Sequence, residues 1–185
     1  MTTVAGAVLA AGSGSRMGRP KAEIVLAGQR LVDRAVAALR DGGCAPVIAV
    51  VRDGVEVAEA HAVVNPEPAR GMRSSLALAV EAAADAGALA VLLVDAPGVG
   101  ASAVGAVIAA WTPGRIAVAT YAGRRGHPTV MSPALWREAL ARAGADEGAR
   151  ALLAARADLV DEVDVPGDPT DLDTADDLAR WADRG

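Results

Sequence analysis

The chain has 185 residues, 52% of them hydrophobic and 22% charged, with a formal net charge of −5. This is one domain's worth of sequence with enough apolar content for a full core, and its acidic balance excludes a general polyanion binder. Aromatic residues make up 2% with no Phe, which removes the stacking platforms of a single-stranded nucleic-acid binder, and the single cysteine, Cys44, excludes an intrachain disulfide or a cysteine-based metal site.

Val4 to Ala10 is a continuous apolar run, as expected of a central parallel strand buried on both faces. It lacks the basic start of a signal peptide, and no run of about 18 apolar residues follows anywhere, so a cytoplasmic protein with no membrane span is expected. The run empties into Leu9-Ala10-Ala11-Gly12-Ser13-Gly14-Ser15-Arg16-Met17-Gly18-Arg19-Pro20-Lys21. Gly12, Gly14 and Gly18 remove side chains so that backbone N–H groups can approach an anion. Arg16 and Lys21 add positive charge to the same loop. A Walker A loop is excluded, because Arg19 and Pro20 follow Gly18 and no Ser or Thr follows Lys21. A dinucleotide fingerprint fits poorly: the third glycine comes one place late, and Asp33 falls inside a helical pattern.

Leu31, Ala35, Ala38 and Leu39 recur at helical spacing up to Gly42-Gly43, and Pro46 to Val51 reads as the next strand, with Cys44 a buried small residue before it. Ala62 to Val64 is a short strand ending at Asn65-Pro66. Ser74 to Ala86 is an Ala-rich helix, and Leu89 to Val94 a buried strand ending in Asp95. Val104 to Trp111 is helical, Ile116 to Tyr121 a strand and Arg125 to Met131 extended. Pro133 to Ala143 and Gly148 to Ala157 read as helices, Val160 to Val165 as a late strand, and Thr174 as the cap of a last helix with Asp176 and Asp177 in its first turn. Trp111, Trp136 and Trp181 are expected to be packing residues on helices. The alternation predicts an α/β fold: one Rossmann-like domain over residues 1–185, with a mostly parallel sheet and helices on both faces. Its ligand is expected at the carboxyl ends of the strands, where Gly12, Asn65 and Asp95 fall.

The opening loop resembles the signature of nucleotidyltransferases with the nucleotide-diphospho-sugar transferase type of fold. Asn65-Pro66 with Gly71-Met72-Arg73-Ser74-Ser75-Leu76, Arg125-Gly126-His127-Pro128 and Asp146-Glu147-Gly148-Ala149-Arg150 narrow the resemblance to the molybdenum cofactor nucleotidyltransferases. Leu9-Ala10-Ala11-Gly12 and Pro20-Lys21 stand closer to the cytidylyltransferase branch than to the guanylyltransferase branch, which usually reads Leu-Ala-Gly-Gly with Asp-Lys. Asp171-Leu172-Asp173-Thr174-Ala175-Asp176-Asp177 resembles the closing motif, with Ala175 and Asp176 replacing its Pro and Glu.

The resemblance implies an Mg²⁺-dependent transfer of CMP from CTP to the terminal phosphate of molybdopterin. Arg16, Lys21 and Asp95 would be catalytic. Leu9, Ala10, Ala11, Gly12, Ser13, Gly14, Lys21, Asn65, Gly71, Ser74, Ser75 and Asp95 would hold the nucleotide. Arg125, His127 and Arg150 would meet the acceptor, and Asp95 with Asp173 would hold the metal. Read from the residues alone, Asp95, Asp173 and the two serines also suit helix capping. Other readings are GTP as donor, another phosphorylated small molecule as acceptor, and a non-catalytic chaperone that carries the cofactor to a client molybdoenzyme.

Overall fold

β1 (Val4–Leu9) is buried along its whole length. Its alternation sorts the core into two layers: Val4, Val8 and the following Ala10 pack on one face, Ala5, Ala7 and Leu9 on the other. A strand covered on both faces has to be apolar at every position, as this one is. The computed structural model describes residues 3–144 and 147–182, apart from the side chains of Arg16 and Ala182.

After β1 come two 3-10 turns (Ser15–Met17 and Lys21–Glu23) and a small hairpin of β2 (Val25–Leu26) and β3 (Gln29–Arg30). α1 (Leu31–Asp41) buries Leu31, Val32, Ala35, Val36, Ala38 and Leu39, one stripe at helical spacing. β4 (Val47–Val51), β5 (His61–Val64), α2 (Met72–Ala82), β6 (Ala88–Leu93), α3 (Ala101–Ala110), β7 (Ile116–Tyr121) and β8 (Arg124–Met131) follow. The chain continues through α4 (Pro133–Arg142), α5 (Arg150–Ala155), β9 (Val160–Asp164) and α6 (Ala175–Ala182).

The main sheet has seven strands in the order β5-β4-β1-β6-β8-β7-β9. β8 pairs antiparallel with both β6 and β7, and the other pairings are parallel. α1 and α3 pack on one face, α2, α4 and α5 on the other, so the expected mostly parallel, doubly covered sheet is present. The chain leaves β1 for β4 on one side and later returns to lay β6 on the other. β1 and β6 thus lie side by side and parallel, so the loops at their carboxyl ends open at one edge of the sheet, where a ligand crevice is expected.

Element edges differ from the sequence reading where local geometry intervenes. α2 begins at Met72 rather than Ser74, because Gly71 (φ 84) already turns the chain into the helix. α5 is confined to Arg150–Ala155, since Gly148 sits at φ +53 and holds back the helix start. Trp111 lies just past α3 in an extended conformation, its indole N–H donating to the Arg115 carbonyl at 3.0 Å. Trp136 is buried against β6, donating to the Leu89 carbonyl at 2.9 Å.

Beyond β9 the chain crosses the carboxyl ends of the strands as a strap. Val165 N–H donates to the Thr120 carbonyl (2.9 Å), Asp168 N–H to Gly98 (3.2 Å) and Leu172 N–H to Asp95 (2.8 Å). Gly98 permits the approach: a Cβ there would overlap the Asp168 carbonyl and stand 2.6 Å from the Trp181 ring. Leu172 is fully buried between exposed neighbours and pins the strap to the core. Leu172→Ala is expected to destabilise the protein by about 2–5 kcal/mol, whereas Leu172→Met should remain within about 1.5 kcal/mol of the parent. Urea unfolding of the two variants checks this, and equal midpoints would mean that the strap is not held by this side chain.

Candidate active site

The crevice between the β1 and β6 loops is a cleft of about 500 Å³. Leu9, Ala11, Gly12, Ser13, Gly14 and Ser15, from the end of β1 and its loop, line it, as do Leu93, Val94 and Asp95 at the end of β6. Pro68, Gly71, Met72 and Ser75, from the segment leading into α2, line it as well, together with Lys21 and Asp173. Of the residues expected to hold a nucleotide, Leu9, Ala11, Gly12, Ser13, Gly14, Lys21, Gly71, Ser75 and Asp95 line it. Ala10 is fully buried beneath it.

Gly14 shapes the loop. It sits in the left-handed region (φ 58, ψ 31), where L side chains are strained. A Cβ there would also overlap the Arg19 carbonyl and lie 3.0 Å from the Lys21 amide nitrogen. The loop thus folds back on the segment that carries Lys21. That segment is fixed from below by Ala22 and Ile24, both buried, and by Leu31 N–H donating to the Ile24 carbonyl at 2.8 Å. The backbone of Arg16 lies in the first 3-10 turn; its side chain is outside the described residues.

Lys21 Nζ donates to Asp95 Oδ2 at 2.7 Å and to Asp173 Oδ1 at 2.6 Å. Desolvation disfavours the ammonium, but the hydrogen bonds and charges of Asp173 and Asp95 outweigh it and hold its pKa above the ordinary value. Asp95 Oδ1 is buried and has no hydrogen-bond partner. Leu172, buried with its N–H on the Asp95 carbonyl, sets Asp171 and Asp173 on either side of the anchor. The Asp171 carboxyl is pushed up to about 6 by desolvation and by the charges of Asp95 and Asp173, with Lys21 pulling the other way.

Two carboxylates converging on one point, one with an unpartnered buried oxygen, suit a hard divalent cation. Such an ion takes one or two protein carboxylates and draws its remaining ligands from phosphate and water. Among the described residues no group of three or more His, Cys, Asp or Glu is placed to hold a metal by itself, so the cation would depend on a bound phosphate.

Asn65 and Ser74 line an adjoining groove rather than the cleft. Asn65 is buried, its amide donating to Ser74 Oγ (2.9 Å) and Ser75 Oγ (3.0 Å), while its Oδ1 accepts from Glu67 N–H at 2.9 Å. Ser74 Oγ donates back to the Gly71 carbonyl at 2.8 Å. Asn65 is the knot of this loop. It leaves the Ser75 hydroxyl as an acceptor on one side, with its proton available to the cleft.

None of the three expected acceptor contacts lines the cleft. Arg125, on β8, is ion-paired with Glu162 of β9 at 2.6 Å. His127 lies beside β6: its imidazole bonds the Val91 backbone and Nδ1 is buried without a partner. Burial lowers the His127 pKa below its ordinary value, against the Val91 backbone and the Asp95 charge. Arg150 is exposed at the start of α5, and Asp146 of the same motif is outside the described residues. Asp171 is the site residue that the sequence reading left without a role; its signal was the Asp-Leu-Asp alternation around one buried leucine. Cys44 is buried, which pushes its thiol up to about 12, and no described helix is long and apolar enough to cross a membrane.

Residues 6–161 match the family model for the MobA-like NTP transferase domain. The chain is 35% identical to a protein of Paenarthrobacter nicotinovorans named nicotine blue oxidoreductase, over 96% of this chain and 95% of that one. It is 38% identical to a protein of Opitutus terrae named "Probable molybdenum cofactor guanylyltransferase", over 65% of this chain and 62% of that one. The crystal structure of Rv0371c of Mycobacterium tuberculosis in complex with manganese superposes with a TM-score of 0.79 at 26% identity, covering 100% of both chains.

Gly14→Ala is expected to weaken binding of a nucleoside triphosphate at least tenfold while the circular dichroism spectrum stays unchanged; calorimetry would show the loop role to be wrong if affinity were retained. Asp171 gives a pH test. Its folded pKa of about 6 stands above the ordinary 3.8, so the folded state keeps a proton that the unfolded chain has released between these values. Stability from this group therefore falls as pH rises through that window. Asp171→Asn should stabilise the fold at pH 7.5 and lose that advantage towards pH 4 in denaturant titrations; a pH-independent difference would contradict the assignment.

Proposed function

The chain belongs to the MobA-like NTP transferase family, and on that premise we propose that it transfers CMP from CTP to the terminal phosphate of molybdopterin, releasing pyrophosphate. The observation that carries the reading is Lys21 held between Asp95 and Asp173 in a cleft lined by the Gly12–Gly14 loop. This is an arrangement for a polyphosphate and a divalent cation, with no need of a nucleophilic side chain.

The amides of the glycine loop, with Arg16 and Lys21, hold the triphosphate. Asp95 and Asp173 would hold Mg²⁺, which supplies charge neutralisation on the phosphates when bound. Ser75, oriented by Asn65, offers a hydroxyl proton to the base or ribose. An oxygen of the acceptor phosphate attacks the α-phosphorus, the bond from that phosphorus to the bridging oxygen breaks, and pyrophosphate leaves with the electron pair. The attacking group is already an anion, so positioning and charge do the work and no strong base is required. Arg150 and Arg125, the latter after release from Glu162, would receive the acceptor, and His127 would support the Asp95 loop from behind. The whole chain acts as one nucleotidyltransferase domain, and a cytoplasmic location suits its use of nucleotide pools.

Leu9-Ala10-Ala11-Gly12 supports CTP, whereas the guanylyltransferase relative supports GTP. The full-length match to nicotine blue oxidoreductase supports a second reading, in which the cleft holds the nucleotide part of a redox donor such as a reduced nicotinamide dinucleotide. Mg²⁺-dependent pyrophosphate release, measured with CTP, GTP, UTP and ATP with and without molybdenum-loaded molybdopterin, tests the proposal. Acceptor-dependent release with CTP supports it, and release with GTP alone moves the chain to the guanylyl branch. No release, with dinucleotide oxidation on adding nicotine blue, favours the redox reading. No release with tight cofactor binding favours a chaperone serving a client molybdoenzyme. Lys21→Ala and Asp95→Ala are each expected to lower kcat at least 100-fold, about 2.7 kcal/mol of transition-state stabilisation; near-normal turnover in both folded variants would sink the site assignment.

A further inference from the structure

Lys21 is the only lysine in the 185 residues; every other member of the Lys+Arg total of 18 is arginine. The chain uses a guanidinium wherever it makes surface ion pairs, as at Asp33, Glu162 and Asp161. Only between Asp95 and Asp173 does it place a compact ammonium on a flexible stem. That ammonium stands where the two carboxylates converge, which is also where they would hold a cation, and the second oxygen of Asp95 remains buried and unpartnered.

Resting on the nucleotidyltransferase reading, we propose that Lys21 is an internal stand-in for the divalent cation: it bridges Asp95 and Asp173 until a nucleoside triphosphate draws it away, so that metal enters with nucleotide and not before it. The charges make the exchange conditional. If Lys21 left alone, two facing carboxylates would stand in a partly buried site without a counter-charge. If metal entered alone, the ammonium would lose both of its hydrogen-bonded partners. A triphosphate resolves both difficulties, because it gives the ammonium a new anion and gives the metal the oxygen ligands that the protein lacks. Asp171, near enough to feel the charges of Asp95, Asp173 and Lys21, adds negative charge that favours an occupied over a vacated centre. The site is thereby guarded against free divalent cations.

A single lysine makes the exchange directly observable. In untagged protein labelled with ¹³Cε-lysine, one side-chain resonance reports Lys21. Mg²⁺ alone is expected to leave it in place, while Mg²⁺ with the non-hydrolysable cytidine 5′-(α,β-methylene)triphosphate should move it. In parallel, Mn²⁺ binding without nucleotide is read from the paramagnetic resonance of the free ion. Lys21→Met, shown to be folded by circular dichroism, should bind Mn²⁺ at least about tenfold more tightly than the parent, within the range of ordinary site coupling. Displacement of the resonance by Mg²⁺ alone, or equal Mn²⁺ affinity in parent and variant, would overturn the proposal. A chain that binds no nucleotide would fail the transferase reading instead, and the Mn²⁺ comparison would still decide whether Lys21 occupies the cation position. If Lys21→Met does not fold, the resonance measurement decides alone.

Discussion

The site is organised around negative charge that must be neutralised. Asp95 lies in the turn two residues beyond the buried strand β6, and the strap brings Asp171 and Asp173 to the same place. Like charges brought together repel, and Asp95, the least exposed of the three, has the least water to screen it. One ammonium answers them, bonded to two of the three carboxylates. The glycine loop, the buried Ala22 and Ile24 beneath Lys21 and the Leu172 anchor can each be understood as holding a member of this group against that repulsion.

The composition of the core serves the same end. With aromatic residues at 2%, the layers on the two faces of the sheet are built largely from Ala, Val and Leu. Small side chains let helices approach the strands closely. The few large groups are spent at particular seams, such as Trp136 against β6 and Trp181 against Gly98. The strap lies close enough to the β6 loop for the Leu172 N–H to reach the Asp95 carbonyl, and the Asp173 carboxylate arrives on a segment with no regular secondary structure.

What the sequence could disclose was mostly what is contiguous. Val4–Leu9 and the glycine loop read directly, because an all-apolar run and clustered glycines each leave an unbroken signature. The β2–β3 hairpin left none, since two-residue strands have no period to detect. The pairing of Asp95 with Asp173 was legible only through resemblance to a family, and their joint contact with Lys21 was not, because separations of 74 and 152 residues carry no spacing signal. Asn65 and Ser74 sat in a motif expected to face a nucleotide, yet they bond each other inward: a motif groups residues without saying which way each one points. Asp171 escaped for the opposite reason, as one more acid in an acidic segment until Leu172 fixed its position.

The strap also sets an order of assembly during synthesis. Lys21 and Asp95 belong to the first parallel strands and their loops, which share one sheet and are translated early. Asp173 is translated 152 residues after Lys21. Domains fold as units, so Lys21 and Asp95 stay without their third partner until the strap has been made. The ammonium completes its pair of hydrogen bonds only as the last segment closes over the strand ends.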